Sequence, residues 1–199
     1  MLRAFALCLA TLFAAPAFAQ STTTLRGTVE SVAADGASFT AHSRSGQPAT
    51  VRLKPDTRFV AVVPADLKDV KAGAYVGVAA VPDGDKGLKA LEVHIFPEAM
   101  HGVGEGFRPF DLAPGSSMTN GALSERVDAV DGPKLTISYK GGTQTIRVDG
   151  STAIVAFAPG DKAELKDGAA IIARGAKAED GTIDAAYVLI GRNGLVPPM

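Results

Sequence analysis

The chain repeats itself. Sliding the sequence 95 residues along itself sets "VRLKPDTRFVAVVPADLKDVKAGAYVGVAA", from Val51, on "IRVDGSTAIVAFAPGDKAELKDGAAIIARG", from Ile146. Without a gap, residues 51–95 and 146–190 are identical at 13 of 45 positions, among them Arg52/Arg147, Thr57/Thr152, Pro64/Pro159, Asp66/Asp161, Gly73/Gly168 and Val93/Val188. Most other apolar positions exchange within type, as in Val51/Ile146, Phe59/Ile154 and Val76/Ile171. Upstream, "VESVAADGASFTA" meets "VDAVDGPKLTI" across a small gap. Similarity at a fixed period marks duplicated structure. Two copies are too few for a solenoid, so the repeat predicts two like domains.

Within each copy the apolar period is two. "TVRL", "FVAV" and "YVGVAAV" in the first, and "LTISY", "TIRV" and "AIIARG" in the second, are short Val/Ile/Thr-rich runs bounded by Asp-Gly, Gly-Gly and Ser-Gly turns. Strands are expected over 25–33, 37–43, 49–62 (bent at Pro55), 74–81 and 88–96, then over their counterparts. The helical signal in each copy is one short piece, "PADLKDVKAG" and "PGDKAELKDG". Asp66 or Asp161 is placed to cap it, and Gly73 or Gly168 to end it. Three strands, a helical turn and two more strands is the order of a five-stranded OB-type barrel. Closing the sheet also removes the exposed edges that so short a unit would otherwise present. A small sandwich has the same alternation. The fold class expected is all-β: two tandem five-stranded OB-like barrels, each with one helical turn. The expected boundaries are 20–96 and 122–193, with a connector over 97–121 and a loosely held tail at 194–199.

The pattern "GTVESV…FT…VRL…LKDVKAGAYVGVA…KGLKALEV", echoed by "LKDGAAIIA…DGTIDAAYV", resembles the exported bacterial domain family DUF5666. The likeness covers both repeats. It implies small β-barrels, often in tandem, and an envelope location. It carries no catalytic or binding residue, because the family has no established activity.

Residues 1–19, "MLRAFALCLATLFAAPAFA", have one basic residue, an apolar run and a small-residue Ala17-x-Ala19 ending, which predicts a signal peptide cut before Gln20. The protein is therefore expected in the periplasm or outside the cell. The run Ala4–Ala15 is 12 residues long, short of the ~20 a spanning helix needs, so no membrane insertion is expected after cleavage. Cys8, the one cysteine, would leave with the signal. A mature chain without cysteine has no disulfide, thiol nucleophile or Cys-based metal site. Without Arg3 the chain carries 19 basic and 21 acidic residues. That balance argues against a nucleic-acid partner.

Motif chemistry is sparse. No Gly-x-Ser-x-Gly elbow is present. "GVGEG" at 102–106 misses the dinucleotide-loop spacing, and Pro109 stands where a helix would open. "DGDKG" at 83–87 lacks the rest of a calcium loop and reads as a hairpin turn. The informative stretch is His94–Gly121, "HIFPEAMHGVGEGFRPFDLAPGSSMTNG". A pure tether needs only Gly, Ser and polar residues. This one holds Phe107 and Phe110, and burying a Phe contributes ~1.5–3 kcal/mol, so it is expected to be ordered across the barrel junction. Two readings follow. The first is a non-enzymatic binding protein, with no cofactor, whose groove is floored by Phe107, Arg108 and Phe110; its partner would be an envelope protein, a polymer or a small ligand. The second is a copper-type metal site on His94, Met100 and His101, since imidazole and thioether suit that ion.

Overall fold

The alternating runs fold as strands, and the helical pieces among the described residues are single 3-10 turns. The computed structural model describes residues 21–130 and 132–199, so the predicted signal segment at 1–19 lies outside the described residues. The first repeat gives β1 (Thr22–Val32), β2 (Ser38–Ser43), β3 (Pro48–Pro64), β4 (Tyr75–Pro82) and β5 (Leu88–Ile95). A short β6 (Gly106–Pro109) lies in the connector. The second repeat gives β7 (Ser117–Val127), β8 (Lys134–Tyr139), β9 (Gly142–Arg147), β10 (Ala153–Pro159), β11 (Ala170–Lys177) and β12 (Ile183–Gly191). The expected helical turns stand at Leu67–Asp69 and Lys162–Glu164, opened by capping boxes at Asp66 and Asp161.

The described residues form two five-stranded barrels, and neither is a contiguous piece of chain. Barrel one is β1, β2 and β3 of the first repeat with β11 and β12 of the second; antiparallel ladders join them, and β3 closes the ring in parallel with β12. Barrel two is β7, β8 and β9 with β4 and β5, closed where Leu88 and Lys89 of β5 meet Ile146 and Arg147 of β9. The expected boundaries 20–96 and 122–193 are thus corrected: each repeat places three strands in one barrel and two in the other. The physical reason is that the segment after Pro64 crosses to the far barrel instead of folding back. Because the repeats match, β4 finds in β7 the partner that β1 would have been. The seals are reciprocal, Gly73 N–H to Leu123 O at 2.8 Å and Gly168 N–H to Val29 O at 2.8 Å.

These contacts equate Val29 with Leu123, not with Val127 as the sequence comparison had it. Gly27 then falls on Gly121. A Cβ at Gly27 would overlap the carbonyl oxygen of His42, and one at Gly121 that of Ser138. Both strands approach a neighbour too closely for a side chain. A bulge follows each glycine, at Val29/Ser31 and Leu123/Glu125, and supplies the bend that ring closure requires. The expected bend near Pro55 lies at residues 54–57. There the Thr57 hydroxyl accepts from Lys54 N–H and donates to Ala185 O, both at 2.8 Å. Thr152 repeats the clamp between Asp149 N–H and Ala90 O, which explains one identity of the repeat.

Beyond the rings, β3 and β10 run antiparallel to each other, pairing Val60 with Pro159, Val62 with Phe157 and Pro64 with Val155. Under the 95-residue shift these pairs exchange into one another, so a pseudo-twofold axis passes between Val62 and Phe157. Each barrel has its own apolar interior, around Phe39, Ile171 and Ile190 in one and Leu123, Leu135 and Ile146 in the other. A third cluster, with Val62, Phe96, Phe157, Ile172, Leu189 and Met199, fills the junction. The tail, expected to be loosely held, packs there: Met199 is buried, its carbonyl accepts from Arg26 Nε at 2.9 Å, and Pro197 O accepts from Arg44 at 2.7 Å. Burial first, and Arg26 second, hold the Arg44 pKa below its ordinary value.

Candidate functional site

Two outward-facing rows of side chains on each barrel form the junction, and the pseudo-twofold makes each row a control for its mate. On barrel two the first row runs Val155, His94, Gly77, Asn120 across β10, β5, β4 and β7. Its mate on barrel one is Val60, Leu189, Ile172, Arg26. The second row on barrel two is Ala153, Glu92, Ala79, Met118, and its mate is Arg58, Tyr187, Arg174, Thr24. The same backbone therefore carries different chemistry on its two sides.

On barrel two the rows are sealed. Glu92 is 0% and His94 3% exposed. His94 Nδ1 lies 2.9 Å from Glu92 Oε1, and the ring stacks on Phe157 with centroids 4.6 Å apart and meets Phe96 at 4.7 Å. Asn120 donates from Nδ2 to Val103 O at 3.2 Å. Gly77 makes this packing possible: a Cβ there would overlap His94 Nε2 and lie 2.6 Å from Asn120 Oδ1. Glu92 Oε2 and Asn120 Oδ1 have no hydrogen-bond partner among the described residues, and an unmet buried acceptor costs about 1–3 kcal/mol. Barrel one fills the places of Gly77 and His94 with Ile172 and Leu189, so the fold itself does not demand an imidazole there.

The residues suggested for a metal are spread over separate contacts. His94 is committed to Glu92. The His101 ring packs on Tyr75 at 4.7 Å, and Met100 packs against the junction cluster. His94 and His101 make no ring contact with each other among the described residues. Nor do those residues hold a group of three or more His, Cys, Asp or Glu placed to bind a metal. The i, i+3 pair Glu98 and His101 flanks a single 3-10 turn, not the helix that would align two ligands.

The three residues expected to floor a groove also part company. β6 pairs with β7, setting Phe107 opposite Thr119 and Arg108 opposite Met118. Neighbours on a strand point to opposite faces, so Phe107, 46% exposed, turns away from the junction side taken by Arg108. Phe110 is packed into the junction cluster beneath the Arg26 guanidinium, 5.7 Å from its ring centroid. Arg108 is half-buried, and its NH1 donates to Gly104 O at 2.7 Å. Desolvation, then the charge of Arg174, lowers its pKa, with Tyr187 and Tyr75 opposing. Arg108 thus stands with Arg174 and Tyr187 of the open row on barrel one. Sequence reasoning missed Arg58, Arg174 and Tyr187. A signal was present: under the repeat they replace Ala153, Ala79 and Glu92, three mismatches on one face.

Paired five-stranded barrels that exchange strands, with a connector laid over their junction, define the class of protein. The sequence pattern described as "Domain of unknown function (DUF5666)" matches residues 26–94 and 126–188. The chain belongs to that family. Each match spans one repeat and so parts of both barrels. Comparison with curated proteins and with solved structures returned no match.

Proposed function

We propose that this protein is a non-enzymatic binding module of the cell envelope, periplasmic or secreted, that holds a ligand at the open side of the barrel junction. One observation carries the reading: Arg58 is exposed and Arg174, Tyr187 and Arg108 are half-buried, whereas Glu92, Ala79 and Met118 of the pseudo-symmetric row are fully buried. Guanidinium and phenol groups are hydrogen-bond donors with flat faces, suited to gripping a ligand rather than to moving protons at neutral pH. The signal-like N-terminal segment supports the location.

The test is a thermal-shift screen of the chain lacking residues 1–19 against neutral sugars, amino acids, peptides and phosphate compounds, repeated with Tyr187→Ala. Binding to the folded state raises the melting temperature with ligand concentration. Shifts that vanish in the variant are expected. Shifts that survive it, or turnover of a hit, would count against the proposal.

A further inference from the structure

The open row gathers positive charge that no ion pair within it neutralises among the described residues. Tyr187 lies between Arg174 on β11 and Arg58 on β3 in cross-strand register, where directly opposed side chains stand ~5 Å apart at Cβ. Arg108 enters from β6, in register with Met118 at the end of barrel two's second row, and its charge and those of Arg174 and Tyr187 influence one another across the junction. Neither Arg58 nor Arg174 has an ion pair among the described residues. The nearby carboxylates form their hydrogen bonds with other groups, although the Asp111 charge is felt by Arg174. Asp111 is held by two hydrogen bonds from Arg26, at 2.6 and 3.1 Å, and Glu105 accepts from Lys140 N at 2.8 Å. Two guanidinium residues therefore flank one phenol in register, with a third close enough to share its field, on a chain whose formal net charge is −1. Like charges set side by side repel, and an exposed sheet face gains nothing from collecting them. The fold does not require them either: barrel two places Ala153, Ala79 and Glu92 at the same three positions.

We propose that Arg58, Arg108 and Arg174, with the Tyr187 hydroxyl, form a site for the phosphate group of a phosphorylated ligand. This rests on the reading that the chain binds a ligand at this face, and it names the ligand's chemistry. Guanidinium forks match pairs of oxygens on one anion. Three forks exceed what one carboxylate can accept, whereas a phosphate monoester or pyrophosphate offers at least three oxygens and about two negative charges at neutral pH. Tyr187 adds a neutral donor between the forks. The half-burial of Arg108 keeps one fork poorly solvated, which strengthens its hold on an anion.

The experiment is calorimetric titration of the protein with inorganic pyrophosphate at constant ionic strength, alongside flotation with phosphatidylcholine vesicles carrying phosphatidic acid. The pyrophosphate arm reads a free phosphate compound and the vesicle arm a lipid headgroup; saturable binding in either supports the site. Arg58→Ala and Arg174→Ala are each expected to weaken binding roughly ten- to hundredfold, as for loss of a charge-assisted hydrogen bond. Arg174→Lys should fall between, since it keeps the charge and loses the fork. Lys71→Ala, on a distant exposed turn, should change nothing. No saturable binding in either arm, or equal binding by the Arg58→Ala/Arg174→Ala double variant, overturns the proposal. If the thermal-shift screen still yields a neutral ligand whose effect needs Tyr187, the binding reading survives and the phosphate assignment alone falls.

Discussion

Gly77→Ala is the smallest change that should damage this molecule badly. The added methyl would occupy the space of His94 Nε2 and Cε1 and stand 2.6 Å from Asn120 Oδ1. His94 has little freedom to retreat, with Glu92 on its Nδ1, Phe157 against its face and Phe96 at its edge. Overpacking a filled interior costs about 1–3 kcal/mol. A pinned neighbour argues for the upper end, near 3 kcal/mol. For a chain of this size each kcal/mol moves the melting point by about 2–4 °C, so a drop of roughly 6–12 °C is expected. Urea denaturation of a double-mutant cycle with His94→Ala isolates the cause. Gly77→Ala should cost much less once the imidazole is gone, because only Asn120 must then shift, leaving a coupling of about 2 kcal/mol. Equal cost in both backgrounds would refute the claim that Gly77 exists to admit His94.

Two further outcomes are expected. If a protease site is inserted between Pro114 and Gly115, in an exposed turn, the cut chain should still run as one species of unchanged size on gel filtration. Fragments that separate in native buffer would disprove the strand exchange. Acid should destabilise the protein late. Hydrogen bonds from Arg147, Lys54 and Arg192 hold the carboxyl pKa values of Asp83, Asp184 and Glu164 below their usual range. Groups depressed on folding contribute stability above their unfolded pKa of about 4 and lose it as pH falls through the folded value. The urea midpoint should therefore hold between pH 8 and 5 and fall below about pH 4; a decline that begins well above pH 5 would refute this account.

The strands were legible because alternation and turn glycines are local signals. β2, β4 and β5 begin or end within a residue of where the period-two runs place them. Strand exchange was not legible, for a reason the repeat itself supplies. If β4 can pair with β1 or β7 using the same apolar face, no alternation pattern distinguishes the two. The choice is made by the path of residues 65–74 and by the pairing of Val62 with Phe157, neither of which leaves a periodic trace. The site was half visible. Arg108 stood out in an unusual connector, but Arg58 and Tyr187 are far apart in sequence and meet only through the parallel β3–β12 ladder. Grouping Phe107 with Arg108 overlooked that adjacent strand residues face opposite ways. Grouping His94 with His101 overlooked the rings of Phe96 and Tyr75, tilted against each other, which pack on His94 and His101 respectively.

The crossing of β4 and β5 also sets an order of events in folding. The first barrel cannot close until β11, about 145 positions after β1 in the chain, has been made. A ribosome that has produced only the first hundred residues holds three strands with an open side and two more with only each other as partners. Long-range closures of this kind slow folding, and unpaired edges invite pairing with a neighbouring copy. An arrangement that locks the finished halves together thus leaves the growing chain exposed until its last strand arrives.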